Sequence, residues 1–158
     1  WGDAEVSGDA EVWGNAKVSG DAEVWGNAKV SGNAEVWGDA KVSGNAEVWG
    51  NAKVSGDAKV WGNAKVWGDA EVSGDAKVWG NAKVSGDAEV SGDADYIVFK
   101  NWWSSGRYFT WTRSNNMWSV GCFYGTGEEL IKKAYEDSEK SGREYERVVK
   151  FVQSILEE

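Results

Sequence analysis

Trp25-Gly-Asn-Ala-Lys-Val30, Ser31-Gly-Asn-Ala-Glu-Val36 and Trp37-Gly-Asp-Ala-Lys-Val42 follow one another without a spacer. The same unit, W/S-G-D/N-A-E/K-V, runs from Trp1 to Tyr96 as sixteen hexads with neither insertion nor deletion. Only the last hexad departs, with Asp95 and Tyr96 in place of the usual charge and Val. A fixed short period of this kind marks a solenoid, in which each unit buries its apolar face only against its neighbours. Helix is excluded, because a Gly in every hexad would cost about 1 kcal/mol each time. Ala and, two residues later, Val fit a short strand that turns both inward and the intervening Glu or Lys outward. The Gly-Asp/Asn pair supplies a turn, since both Gly and Asn tolerate positive φ.

An aliphatic residue, a small residue four positions later and Gly-Asp/Asn between them (Val6, Gly8, Asp9, Ala10 and onward) resemble the left-handed parallel β-helix, or hexapeptide-repeat, family. The resemblance covers 96 of 158 residues. It implies a mainly β fold, a left-handed triangular β-solenoid in which three hexads complete one coil. Residues 18 apart then share a face, and Asp3, Asp21, Asp39, Asp57, Asp75 and Asp93 form one all-Asp column. At about 4.8 Å per coil the rod is roughly 26 Å long. Trp and Ser alternate hexad by hexad as far as Trp61, so three faces set Trp over Ser: Trp1 over Ser19, Trp13 over Ser31, Trp25 over Ser43. The small Ser leaves room for each indole to lie flat along the outside. Trp67 breaks the rhythm, so Trp49 stacks towards Trp67 and Trp61 towards Trp79. The remaining column ends in Ser55, Ser73 and Ser91, a stretch free of Trp, and that bare end is the expected dock for the C-terminal segment. Charges such as Lys17, Glu35, Lys53 and Glu71 alternate along a column and mainly keep the surface soluble.

Composition changes after Asp95, giving a solenoid over residues 1–95 and a cap over 96–158. Tyr96–Lys100, Arg107–Arg113 and Met117–Phe123 are rich in aromatic and β-branched residues and predict three strands. Ser104–Gly106 and Ser114–Asn116 predict the turns between them. Thr126-Gly-Glu-Glu129 and Ser141-Gly-Arg-Glu144 read as capping boxes opening two helices. Cys122, inside the third strand, reads as buried. A β-meander with two helices is a sensible α+β cap for a solenoid edge that would otherwise pair with another chain. This segment is similar to extensions that follow such hexads in uncharacterised bacterial and phage hexapeptide-repeat proteins, a resemblance that implies no chemistry. The near-identity of the units fits a consensus design as well as recent duplication. The chain opens inside a hexad at Trp1, so the first coil is expected to seek a partner, most simply a second copy.

Composition excludes more function than it assigns. Seventeen Lys+Arg against 26 Asp+Glu leave a net charge of −9, all of it on the rod, which argues against a nucleic-acid partner. No apolar run is long enough to span a bilayer. The acyltransferase branch of the resemblance implies a catalytic His and acyl-CoA loops, and the carbonic anhydrase branch His-bound zinc; this chain has no His and no such loops. It is therefore read as no enzyme, with no cofactor and no metal. The Asp column could hold cations, but the preferred reading is that each Asp bonds its own turn and stays solvated. Ice binding lacks its Thr ladders, and eight Lys among the hexads weaken a DNA mimic. The outward indoles Trp13, Trp25, Trp37, Trp49, Trp61, Trp67 and Trp79 are the clearest candidate binding surface. They either add apolar cover to the coil or stack on a sugar, a nucleobase or a protein partner. Trp102, Trp103 and Arg107 form a second candidate surface on the cap, and Arg107 and Arg113 are candidates for an anion or for cross-strand ion pairs. The expectation is a rigid scaffold or binding module that self-associates through its N-terminal coil; the alternative is a binder of sugar, nucleotide or host protein through the Trp rows, including a phage-borne inhibitor.

Overall fold

The computed structural model describes residues 2–157. Trp1, and the stacking expected of it on Ser19, lie outside the described residues. Within them each of the first fifteen hexads contributes one two-residue strand, from β1 (Glu5–Val6) to β15 (Glu89–Val90). Every third strand pairs in parallel, with Glu5 opposite Glu23, Lys29 opposite Glu47 and Lys53 opposite Glu71. Three five-stranded parallel sheets result. The 18-residue coil that the resemblance implies is therefore the structural period, and the molecule is a three-sided β-solenoid of about five turns.

The inward positions form its core. From Ala22 to Val90 every Ala and Val of the repeat has 0% exposure. Burying a Val side chain stabilises by about 1.5–3 kcal/mol, so a core of methyl groups alone holds the rod when repeated this often. Between coils the backbone pairs as continuously as the side chains: Lys29 N–H donates to Ala46 O at 2.9 Å, and at the turn Asn33 N–H donates to Gly50 O at 2.8 Å. The turn demands glycine twice over. Gly32 has φ +69°, and a Cβ on it would stand 3.0 Å from both N and O of Gly50 in the next coil.

The cap is a four-stranded antiparallel meander, β16 (Tyr96–Lys100), β17 (Tyr108–Thr112), β18 (Met117–Val120) and β19 (Phe123–Gly125), followed by α1 (Gly127–Asp137) and α2 (Glu139–Leu156). The expected third strand is thus two strands, because Gly121 at φ +57° and Cys122 make a tight turn between them. Cys122 is exposed on that turn rather than buried. Thr126 caps α1 as expected, with Glu129 returning the bond to Thr126 N–H at 2.9 Å. The second helix starts earlier than Ser141: Ser138 is its cap, accepting from Ser141 N–H at 3.1 Å. Trp111, Trp118, Phe109, Tyr145 and Val149 meet between sheet and helices in a second core.

The cap does not lie along the column of Ser55 and Ser73. It closes the end of the rod, and it does so with side chains. The last coil exposes strand edges at β13 (Lys77–Val78), β14 (Lys83–Val84) and β15. Tyr96 Oη donates to Lys77 O at 2.5 Å, Lys83 N–H donates to Thr110 Oγ1 at 2.9 Å, and Glu89 N–H donates to Ser114 Oγ at 2.7 Å. Hydroxyls adapt because they both donate and accept, so they satisfy an edge whose direction no cap strand follows. The two residues that end the repeat both contribute. Asp95 folds back to accept from Ser91 N–H at 2.9 Å and Gly92 N–H at 2.8 Å, while Tyr96, in the place of a Val, sends its phenol to β13.

Candidate functional site

The hexad frame fixes where each indole stands. Trp13, Trp25 and Trp79 are exposed, and Trp37, Trp49, Trp61 and Trp67 are half-buried. Trp49 and Trp67 stack at 5.0 Å with planes 5° apart, and Trp61 and Trp79 at 6.2 Å and 12°. Both pairs are those that the broken Trp/Ser rhythm predicts. Within each pair the rings are stacked. An indole is wider than the 5.0 Å spacing, so the rings of this pair cannot lie flat along the rod; their faces point along its axis. An indole over a Ser therefore leaves a slot, and Trp25, Ser43 and Trp61, with Lys41 and Lys59, line a groove of about 610 Å³.

On the cap the expected surface separates. Trp102 is 71% exposed, whereas Trp103 turns inward, 7% exposed, and meets Tyr145 edge to face at 4.9 Å. Arg107 is exposed, and neither it nor Arg113 forms an ion pair with a carboxylate among the described residues. Trp102, Trp103 and Arg107 do not form one surface, because the aromatic core of the cap claims the middle member.

The turn columns behave differently by chemistry. Asn15, Asn33, Asn51 and Asp69 form an amide ladder, each Nδ2 donating to the next Oδ1 at 3.0–3.1 Å. A second ladder joins Asn27, Asn45 and Asn63 at 3.2–3.3 Å. Carboxylates cannot make such a ladder, and the all-Asp column instead faces lysines: Asp39, Asp57, Asp75 and Asp93 share a groove with Lys41, Lys59 and Lys77. Among the described residues no three or more carboxylates or thiols gather as a metal would require. The amide ladders went unread in the sequence, although Asn recurring every 18 residues was their signal.

A further aromatic site lies where rod meets cap. Column by column, a sixth coil would cover Gly80 and Asn81; the chain instead leaves as β16, and nothing stands within 4 Å of where a Gly80 Cβ would be. The vacancy is a cleft of about 510 Å³ lined by Trp79, Asn81, Asp93, Tyr96, Ile97 and Tyr108. Trp79 is 57% exposed and Tyr108 40%. Burial raises the Tyr96 phenol above its ordinary pKa; a hydrogen bond from the Trp79 backbone opposes the rise and the charge of Asp93 adds to it. Tyr96 thus remains a neutral donor, fixed to Lys77 O. Of these residues only Trp79 was legible as a site residue, since the others come together only through the path of the cap.

Among the described residues no helix is long and apolar enough to cross a membrane. No family model, curated protein or solved structure matches this chain.

Proposed function

We propose that the chain is a non-enzymatic rod of the hexapeptide-repeat type, a rigid scaffold that joins a second copy of itself through its first coil. The asymmetry of the two rod ends carries this reading. At the C-terminal end, hydroxyls of the cap occupy the strand edges. At the other end, as this chain stands, Val6 is 49% exposed while Val24, its partner one coil on, is 0% exposed. Val12 and Val18 are half-buried. An uncovered edge with apolar residues beneath it is a template for another strand. A two-fold axis perpendicular to the rod brings the same edge of a copy against it, with strands antiparallel and the two helical ramps matched. The absence of enzymatic activity rests on composition, with no His to act as base. Size-exclusion chromatography with light scattering tests the reading. A dimer that Val6→Lys converts to monomer is expected; a strict monomer, or a dimer indifferent to Val6→Lys, overturns it.

A second reading, binding through the indoles, is favoured by one observation: Trp79 is backed by Trp61 and still 57% exposed. Titration with sugars and nucleotides tests it, and no response to any of them refutes it.

A further inference from the structure

We infer that the cleft between the last coil and β16 is a binding site for a neutral pyranose sugar. The inference rests on the second reading above, that exposed indoles bind, and adds where and what. Trp61 lies against one face of the Trp79 indole, at 6.2 Å and 12°. The ring is held by that contact, and its other face looks into the cleft. A backed, exposed indole is an amphipathic platform that pays little entropy on binding. A sugar presents to such a platform the axial C–H face of its ring.

The polar groups around the platform suit hydroxyls. Asn81 is the last residue of its ladder column, and among the described residues neither its amide side chain nor its backbone N–H has a hydrogen-bond partner. Asp93 likewise has no side-chain hydrogen bond among them. An amide that donates and accepts, beside a carboxylate that only accepts, matches vicinal hydroxyls, each of which does both. A volume of about 510 Å³ admits one or two sugar rings, within the range of about 300–1,000 Å³ usual for small-molecule clefts.

Charge decides against the other occupants of an aromatic cleft. Anions, including nucleotides and sugar phosphates, meet Asp93 and a rod that carries the whole net charge of −9. A quaternary ammonium would suit Trp79 and Asp93, but Tyr108 already has the Lys100 ammonium 5.6 Å from its ring centre. A second cation there meets like charge. A neutral ligand rich in hydroxyls offers partners to Asn81 and Asp93 and brings no charge into the cleft.

The test is isothermal calorimetry of the full chain with glucose, galactose, mannose, N-acetylglucosamine, cellobiose and maltose at millimolar concentration, with adenosine and choline as controls. At least one sugar is expected to bind. Trp79→Ala and Asp93→Asn should each weaken it by about tenfold or more, Trp79→Phe by less, and Trp25→Ala not at all. Circular dichroism confirms that each variant keeps its strands, and Asp93→Asn, at an exposed position, guards against a Trp79→Ala chain that fails to fold. Binding by none of the six sugars overturns the inference, as does binding of adenosine or choline alone. Loss on Trp25→Ala with retention on Trp79→Ala overturns the cleft while leaving indole-mediated binding intact.

Discussion

Gly32 and Gly80 occupy the same turn position with nearly the same backbone, φ +69° and +66°, but different surroundings. At Gly32 a Cβ would stand 3.0 Å from N and O of Gly50; at Gly80 it would meet nothing within 4 Å. Substituting each by Ala separates the two demands the hexad makes on its glycine. The left-handed conformation costs Ala about 1–2 kcal/mol, and the stiffer unfolded chain returns about 0.4–1 kcal/mol. Gly80→Ala should therefore lose about 1 kcal/mol. Gly32→Ala carries the same term, and in addition the coils must part by about 0.4 Å to restore ordinary contact. The bond that stretches first is Asn33 N–H to Gly50 O, at 2.8 Å the anchor of that turn. One or two weakened backbone hydrogen bonds add about 1–2 kcal/mol. The expected total for Gly32→Ala is about 2–3 kcal/mol. Urea titration followed by circular dichroism and tryptophan fluorescence measures both. Equal losses, or a larger one at Gly80, would show that coil-to-coil contact plays no part and would refute the argument for close-stacked turns.

Asp95 gives a pH dependence. Burial alone would raise its carboxyl, but N–H groups of Ser91 and Gly92, the Ser91 hydroxyl and the Arg113 charge outweigh it and hold the pKa below the ordinary value. A carboxyl lowered on folding stabilises above its unfolded pKa of about 4, and that contribution fades as pH falls through the lower folded value. Asp95→Asn should thus be less stable than the parent at pH 7 by about 1 kcal/mol, with the gap closing under acid; a gap constant from pH 7 to pH 2 would count against the turn. Asn51→Asp replaces the 3.0 Å amide bond to Asp69 by two facing carboxylates, and should cost about 1 kcal/mol at low salt and much less at 1 M. Denaturation at both ionic strengths decides it, and a salt-independent loss would mean that charge is not the cause. Ser85 is 3% exposed and its hydroxyl has no partner among the described residues, so Ser85→Ala should raise stability by about 1 kcal/mol; thermal melting that shows a loss would reveal a partner for the hydroxyl.

Most of the rod was legible because its interactions repeat with the sequence. Val24, Val42 and Val60 stack because each is the same distance along the chain from the last, and so do Trp49 and Trp67. Orientation was less legible than register: the 18-residue spacing puts one indole over another, but the 5.0 Å separation decides that they meet face to face. In the cap, periodicity gave way to single positions. Gly121 at φ +57° turns one apolar run into two strands and carries Cys122 to the surface. Ser138, three residues before Ser141, starts the second helix because a Ser in extended conformation precedes a residue ready to donate back. The cleft was not legible at all. Asp93 belongs to the hexads and Tyr108 to the cap, and only the departure of β16 across the last coil brings them to Trp79.

A perfect repeat has no internal reason to place a site on one coil rather than another. Translation by one coil carries the core, the ladders and the backbone pairing onto themselves, so chemistry distinctive to one place must sit where that symmetry breaks. In this chain it breaks at Trp67, where Ser gives way to a stacked indole, and at Asp95–Tyr96, where the hexad ends. The last break is the richest. There the strand edges meet hydroxyls instead of backbone, the column of turn amides runs out at Asn81, and the final stacked indole of its column has a free face. Polar groups left without a rung and an aromatic ring left without a neighbour are consequences of the same missing coil. The cap closes the backbone edge but does not replace the side chains, and that difference creates the cleft.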